Sequence, residues 1–238
     1  MVQLNKMRGR LKGIFFLFRM HKIFPADLFE FIAYMTRLSR WINKYSDITF
    51  SDYYTSKIVN NKREDLYSHV LKEENLNSPV DYLEFGVSRG VSFRLWVKNI
   101  TDSDSRFYGF DTFTGLPEDW GKFKKGDMDN ACKPPEIDDN RISFYQGLFQ
   151  QTLNGFLKTY QPNKRRIIHL DADLYSATIY VLTTIAPYIK KDDILLFDEF
   201  NVPLHEFKAF TEWTASFYID YEVIGSMNNF HQVAIKIK

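Results

Sequence analysis

The sequence predicts an α/β fold built on a mostly parallel seven-stranded sheet that ends in an antiparallel hairpin and is preceded by a helical extension. Three observations predict it. From residue 79 onward, short apolar runs alternate with helical patterns at the spacing of βαβ units. The last two runs are joined only by residues 227–231, too short a link for a parallel crossover, so they pair antiparallel. Before Pro79 the apolar spacing is helical alone.

Leu28, Phe31, Ile32, Met35, Leu38 and Ile42 recur at steps of three and four, which is one face of a helix over 26–41 whose start suits Pro25. A second helix covers about 61–74, with Leu66, Val70 and Leu71 inward, and stops at the turn-forming Asn75, Asn77, Ser78 and Pro79. Strands are expected at 82–87, 107–110, 142–146, 166–170, 194–197, 222–226 and 232–237, with helices between them at 92–99, 152–159, 176–189 and 204–217. The one long irregular stretch, 117–140, is of a length that compact domains keep for function, and it reads as a lid. A chain of 238 residues has room for one domain and an appendage. The division expected is an N-terminal helical extension over 1–78 and a folded domain over 79–238.

Hydrophobic residues at 45% and charged residues at 26% exclude disordered, collagen-like and coiled-coil classes. Thirty-one Lys and Arg against thirty Asp and Glu leave a net charge of +1, with no global field to draw nucleic acid. The single cysteine, Cys132, allows no internal disulfide, and no Cys/His cluster offers a zinc site, which suits a reducing, cytoplasmic setting. Charge is uneven along the chain. Lys6, Arg8, Arg10, Lys12, Arg19 and Lys22 precede the first acid, Asp27, so residues 1–22 carry +6 and the remainder −5. The apolar run 14–18 within them is too short for a spanning helix or a signal-peptide core. Two readings stay open for this end: peripheral contact with an anionic membrane, or packing against the core or a second copy in a homo-oligomer.

The first strand closes on Glu84-Phe85-Gly86-Val87-Ser88-Arg89-Gly90, where glycines four apart let the backbone turn tightly and approach a ligand at the next helix's N-terminus. The middle glycine of the dinucleotide fingerprint is missing, which ranks a dinucleotide oxidoreductase last. Acid-x-Gly-x-x-x-Gly suits the methionine part of S-adenosylmethionine, making Glu84, Gly86 and Gly90 cofactor candidates; an ordinary strand-to-helix turn is the alternative. Asp111 follows Gly86 by 25 residues, one βα unit on, where a carboxylate can accept both ribose hydroxyls; the alternative is a helix cap. Asp171 and Asp173 close the fourth strand, and Asp198-Glu199 the fifth, 27 residues after Asp171. All should open on the edge where open α/β sheets bind ligands. Carboxylates crowded in this way rise in pKa unless a cation neutralises them, and a hard Mg²⁺ held by Asp171, Asp198 and Glu199 would do so. Solvated strand-end acids and a cap on the helix at 204 are the alternative. His169 reads as a packed strand residue, His205 and His231 as surface or capping residues that could border a pocket, and the run 122–125 as a solvated face that could clamp an anionic acceptor.

Five blocks taken together are more specific than any glycine pair. Glu84-Phe85-Gly86-Val87, Gly109-Phe110-Asp111-Thr112-Phe113-Thr114-Gly115-Leu116-Pro117-Glu118-Asp119-Trp120, Gly147-Leu148-Phe149-Gln150-Gln151-Thr152-Leu153, His169-Leu170-Asp171-Ala172-Asp173-Leu174-Tyr175 and Leu196-Phe197-Asp198-Glu199-Phe200 resemble the signature blocks of the macrocin O-methyltransferase (TylF/MycF/NovP-type) family. The resemblance runs from about Asp81 to the C-terminus. It implies the class I methyltransferase Rossmann-like three-layer fold and S-adenosylmethionine-dependent, Mg²⁺-assisted methylation of a hydroxyl on a sugar or sugar-containing small molecule. It also implies Asp171, Asp198 and Glu199 as metal ligands, Asp173 as general base and Gly147 as a further cofactor contact. One departure is Asp198-Glu199, where several relatives carry Asp-Asp, a change that moves one carboxylate by about a C–C bond. The rival readings are a metal-independent small-molecule methyltransferase and a non-catalytic nucleoside-binding or membrane-associated module.

Overall fold

The computed structural model describes residues 2–59, 61–76 and 78–238. Ahead of the sheet lie α1 (Val2–Leu17), a 3-10 turn (Met20–Lys22), α2 (Ala26–Tyr45) and α3 (Lys62–Glu73). The sheet region then runs β1 (Val80–Phe85), α4 (Val91–Asn99), β2 (Arg106–Asp111), β3 (Ile142–Gln146), α5 (Phe149–Leu157), β4 (Arg165–Leu170), α6 (Tyr175–Ile185), β5 (Ile194–Phe197), α7 (Glu206–Phe217), β6 (Tyr221–Met227) and β7 (Gln232–Ile237). The strand order is β3-β2-β1-β4-β5-β7-β6. The first five strands pair parallel, and β7 is antiparallel to both β5 and β6, so the α/β class with a terminal hairpin stands.

Alternate residues of each strand enter different cores, as the two-residue period of a strand requires. Leu83, Phe85, Phe110, Ile168, Leu170, Leu195 and Phe197 pack with α5, α6, α7 and the second half of α2. Val80, Tyr82, Phe107, Ile167, Ile194 and Leu196 pack on the other face with α3 and α4. The result is three layers around a sheet buried on both sides.

Several boundaries differ from expectation for physical reasons. β1 starts two residues early because Asp81, a poor strand former, is held in the sheet by the Tyr160 hydroxyl at 2.8 Å and Lys164 Nζ at 3.3 Å. The helix expected over 176–189 breaks after Ile185 into a 3-10 turn at Ala186–Tyr188, where Pro187 lacks the N–H that would continue it. Residues 2–17, inside the stretch expected to be helical but with no helix of their own assigned there, form α1. In α2, Tyr34 and Leu38 are buried and the Trp41 ring lies 4.7 Å from Phe200, but Leu28, Phe31, Ile32 and Met35 are exposed, so the expected inward face turns inward only over the second half.

The topology sets the position of the site. From β1 the chain builds outward to β2 and β3, then returns to β1's other side as β4, which makes the β1/β4 junction the switch point where such sheets open a crevice. Register pairs Phe85 with both Phe110 and Leu170, and Leu170 with Phe197. Gly86, Asp111, Asp171 and Asp198 therefore stand level at one edge. Gly86 N–H donates to Phe110 O at 2.9 Å, Asp171 N–H to Phe85 O at 2.9 Å and Asp198 N–H to Leu170 O at 3.1 Å, so the ladder stays intact up to the point where these residues leave it.

Candidate active site

A cavity of about 710 Å³ opens at this edge, lined among others by Gly86, Ser88, Asp111, Asp171, Asp173, Asp198 and Glu199. That is the size of a small-molecule site. The long irregular stretch contributes Trp120, Phe123 and Met128 to its wall. Trp120 and Phe123 stack at 5.4 Å and exchange backbone hydrogen bonds of 3.0 and 2.8 Å, and the Ser176 hydroxyl donates to Glu118 Oε1 at 2.8 Å, tying the stretch to α6.

On the glycine side, Gly86 has φ +97°, and a Cβ there would lie 1.8 Å from Asp171 O. Only glycine lets β1 turn away this close to β4. The Asp111 carboxylate gathers the loop that follows: Oδ2 accepts Val87 N–H at 2.8 Å and Ser88 N–H at 2.7 Å, and Oδ1 accepts Phe113 N–H at 2.6 Å. A carboxylate has about four acceptor positions, so capacity remains for a ligand hydroxyl. Gly90 caps α4 in the left-handed region and Gly147 N–H donates to Asp111 O at 2.9 Å, but neither is part of the cavity wall.

Glu84, expected at the cofactor, is wholly buried and also outside the wall. Strand alternation points it into the α3/α4 layer, where Oε1 accepts the Ser92 hydroxyl at 2.6 Å and Oε2 the Tyr82 hydroxyl. Burial lifts its pKa to about 8 despite those two bonds. From Tyr82 the network continues to His169 Nδ1 at 2.8 Å, from His169 Nε2 to the Tyr67 hydroxyl at 3.3 Å, and from that hydroxyl to Asp198 Oδ1 at 3.1 Å. His169 is thus a buried strand residue, pushed down to about 4 by desolvation.

The acids split into two groups. One oxygen each of Asp171, Asp173 and Glu199 lies within 4.8 Å of the others. Burial, reinforced by Asp198 and then Asp173, holds the Asp171 carboxyl well above its usual range; burial and the charge of Asp171 do the same to Glu199. Asp173, at φ +58°, rises to about 7 through burial and the charges of Asp198 and Asp111. Asp198 has both oxygens engaged instead: Oδ2 by Arg63 Nη1 at 3.0 Å and Oδ1 by Tyr67. The Asp171, Asp198 and Glu199 set implied by the family resemblance is therefore not the set that converges freely. Arg63 also lines the cavity. Neither Arg63 nor Tyr67 was visible as a site residue in the sequence, since both belong to a helix more than a hundred residues from Asp198 and only the helical spacing of Leu66 and Val70 placed that helix against the core.

Glu206, fully buried at the start of α7, accepts Glu199 N–H at 3.0 Å and is raised well above the carboxylate range, mainly by burial. Glu199 Oε2 and Glu206 Oε1 are buried without a hydrogen-bond partner among the described residues. His231 Nδ1 pairs with Asn201 Oδ1 at 3.0 Å, and His205 sits at the N-cap of α7 with its ring edge-on to Trp120 at 6.4 Å.

Comparison with known proteins agrees with this layout. Residues 83–200 match the family described as a methyltransferase domain. Among solved structures, the calicheamicin methyltransferase CalS11 is similar with a TM-score of 0.59 and 21% identity, covering 86% of this chain and 91% of that one. A second structure of CalS11, described as a TDP-rhamnose 3'-O-methyltransferase of calicheamicin biosynthesis, gives 0.52 and 20% over 86% and 93%. The O-methyltransferase NovP gives 0.54 and 22% over 74% and 79%. By sequence, the chain matches none of the curated proteins. The glycine turn and the acid-lined crevice at the switch point lie inside the matched segment, and the chain accordingly carries a methyltransferase domain at residues 83–200 in the class I methyltransferase fold.

Proposed function

We propose that the chain transfers the methyl group of S-adenosylmethionine to a hydroxyl of a sugar or sugar-containing small molecule, with Mg²⁺ at the acid cluster. The observation that carries this reading is the convergence of Asp171, Asp173 and Glu199 in the wall of the crevice, within 4.8 Å of one another. The neighbours named for O-methylation, one of them for TDP-rhamnose, support a sugar acceptor.

A hard divalent cation fits the donor set. All three donors are carboxylate oxygens, and Glu199 Oε2 is buried with no other partner among the described residues. Asp171 and Glu199 would hold it, and the cation would supply Lewis-acid activation and orientation of the acceptor hydroxyl. The chain's own residues do the rest. Asp173, whose carboxylate stands beside that pair, is the group placed to receive the hydroxyl proton. Gly86 and Asp111 seat the cofactor, whose sulfonium charge disappears as the methyl moves. Trp120, Phe123 and Met128 exclude water from the crevice and help hold the in-line approach. Arg63 and Tyr67 keep Asp198 paired, so residues 1–78, through α3, help to build the site.

Calorimetric titration with S-adenosylmethionine and with Mg²⁺ tests the assignment. Wild type should bind both, Asp111→Ala should lose the nucleoside, and Asp171→Ala should lose the Mg²⁺ heat. Asp173→Asn should keep Mg²⁺ binding and lose methyl transfer to TDP-rhamnose, read as a methylated product by mass spectrometry. Loss of Mg²⁺ binding in Asp173→Asn would make Asp173 a ligand rather than the base. No nucleoside binding by folded wild type would overturn the reading.

A further inference from the structure

Fourteen of the twenty-two large apolar side chains exposed among the described residues fall between Met7 and Met35, so the exposed hydrophobic surface is concentrated at one end of the molecule. At 3.6 residues per turn, Met7, Leu11, Ile14 and Phe15 share one side of α1. The Phe15 ring lies 5.6 Å from Phe24, and Phe24 lies 5.8 Å from Phe29, which carries the apolar surface across the 3-10 turn onto α2. There Leu28, Phe31, Ile32 and Met35 repeat at helical spacing and are also exposed. Patches this extended mark a binding surface rather than ordinary scatter.

Charge decides what it binds. Arg8 and Lys12 flank the apolar side of α1 on one edge and Arg10 on the other; Arg19 and Lys22 follow at the turn, all exposed, and no acid occurs before Asp27. Cations on both flanks of an apolar strip match the boundary between anionic headgroups and acyl chains. A second copy paired through this surface would have only Asp27 and Glu30 of α2 to offset those cations, and Glu30 is already paired with Lys208 at 2.7 Å. No described helix is long and apolar enough to cross a membrane, so contact is along the surface. Along its length α2 is fixed to the catalytic body by Lys208 on Glu30 at 2.7 Å, the Tyr34 hydroxyl on Glu212 Oε1 at 2.7 Å and Trp41 Nε1 on the Tyr221 hydroxyl at 3.0 Å, so whatever holds the patch also holds the enzyme.

We propose that α1 and the first half of α2 form a docking surface for an anionic lipid bilayer, which the methyltransferase binds peripherally. The test is sedimentation of the full chain with phosphatidylcholine vesicles, with and without phosphatidylglycerol. Wild type should sediment with the anionic vesicles only. The charge variant Arg8→Gln/Arg10→Gln/Lys12→Gln should lose about fivefold in vesicle affinity per cation removed. The apolar variant Leu11→Ser/Ile14→Ser/Phe15→Ser should stay in the supernatant while binding S-adenosylmethionine like wild type, which separates a lost surface from a lost fold. Wild type that ignores anionic vesicles overturns the proposal. So does a dimer, seen by analytical ultracentrifugation, that the apolar variant dissociates without any vesicle binding by wild type; that result would give the surface to a second copy.

Discussion

Gly86 is the residue at which strand, cofactor crevice and acid cluster meet. A methyl at Gly86→Ala would sit 1.8 Å from the Asp171 carbonyl, and φ of +97° is itself unfavourable for alanine. β1 or β4 must shift, so the variant should lose at least about 2 kcal/mol of stability and bind S-adenosylmethionine poorly; urea melts and calorimetry read both. Arg63 acts at the same scale by charge. Its partner Asp198 is 5% exposed at the side chain while Arg63 is 27% exposed, so the pair is only partly shielded from water. Arg63→Met should therefore cost about 1–3 kcal/mol, less than a fully buried pair would. Much of that cost is the unpaired carboxylate, so Arg63→Met/Asp198→Asn should recover part of it. Strictly additive losses in the double-mutant cycle would show that the two side chains are not coupled.

Helices α1 and α3 both precede the sheet yet play opposite parts. Leu66, Tyr67 and Val70 of α3 are at most 1% exposed, in one core with Tyr82 and Trp96, whereas Leu11 of α1 is 67% exposed. Leu66→Ala should cost about 2–5 kcal/mol in a urea melt, and Leu11→Ala should change stability by no more than about 0.5 kcal/mol. Equal effects would contradict this division of roles. The contrast also shows how far the sequence could be read. Strand patterning and the short hairpin link were enough for the sheet, because alternation and loop length are local properties. Asp111, Asp171, Asp198 and Glu199 were legible as a group because each ends a strand, and parallel register brings strand ends to one edge. Glu84 was misplaced because it lies one pleat before the edge, where its side chain points inward. Arg63 and Tyr67 were not legible because only the tertiary packing of α3 brings them to Asp198. The exposure of α2's first half was equally hidden, since an apolar helix face has the same spacing whether a core, a copy or a lipid covers it.

Over the whole molecule, the buried acids make stability depend on pH in an unusual direction. Glu84, raised from 4.5 to about 8, keeps its proton in the native state after the unfolded chain has lost it. Asp173 does so up to about 7, and Asp171, Glu199 and Glu206 are shifted the same way. Their contribution to stability is complete below the unfolded carboxyl values and is lost as pH rises through the folded ones. His169, lowered from 6.5 to about 4, works in the opposite sense: its contribution is complete above 6.5 and is lost as pH falls toward 4. The two effects oppose each other between 4.5 and 6.5, and only the carboxyls act from 6.5 to 8. Each fully responding group adds a slope of about 1.4 kcal/mol per pH unit there. Thermal melts in chelator should therefore give a lower Tm at pH 8 than at pH 6.5, and Glu84→Gln should flatten part of that fall. Mg²⁺ competes with protons for the acid cluster, so it should restore Tm more at pH 8 than at pH 6.5. A Tm that does not fall between those pH values in chelator would mean that the acids are not held protonated. A fall that Mg²⁺ leaves untouched would keep the buried acids and remove the cation from among them.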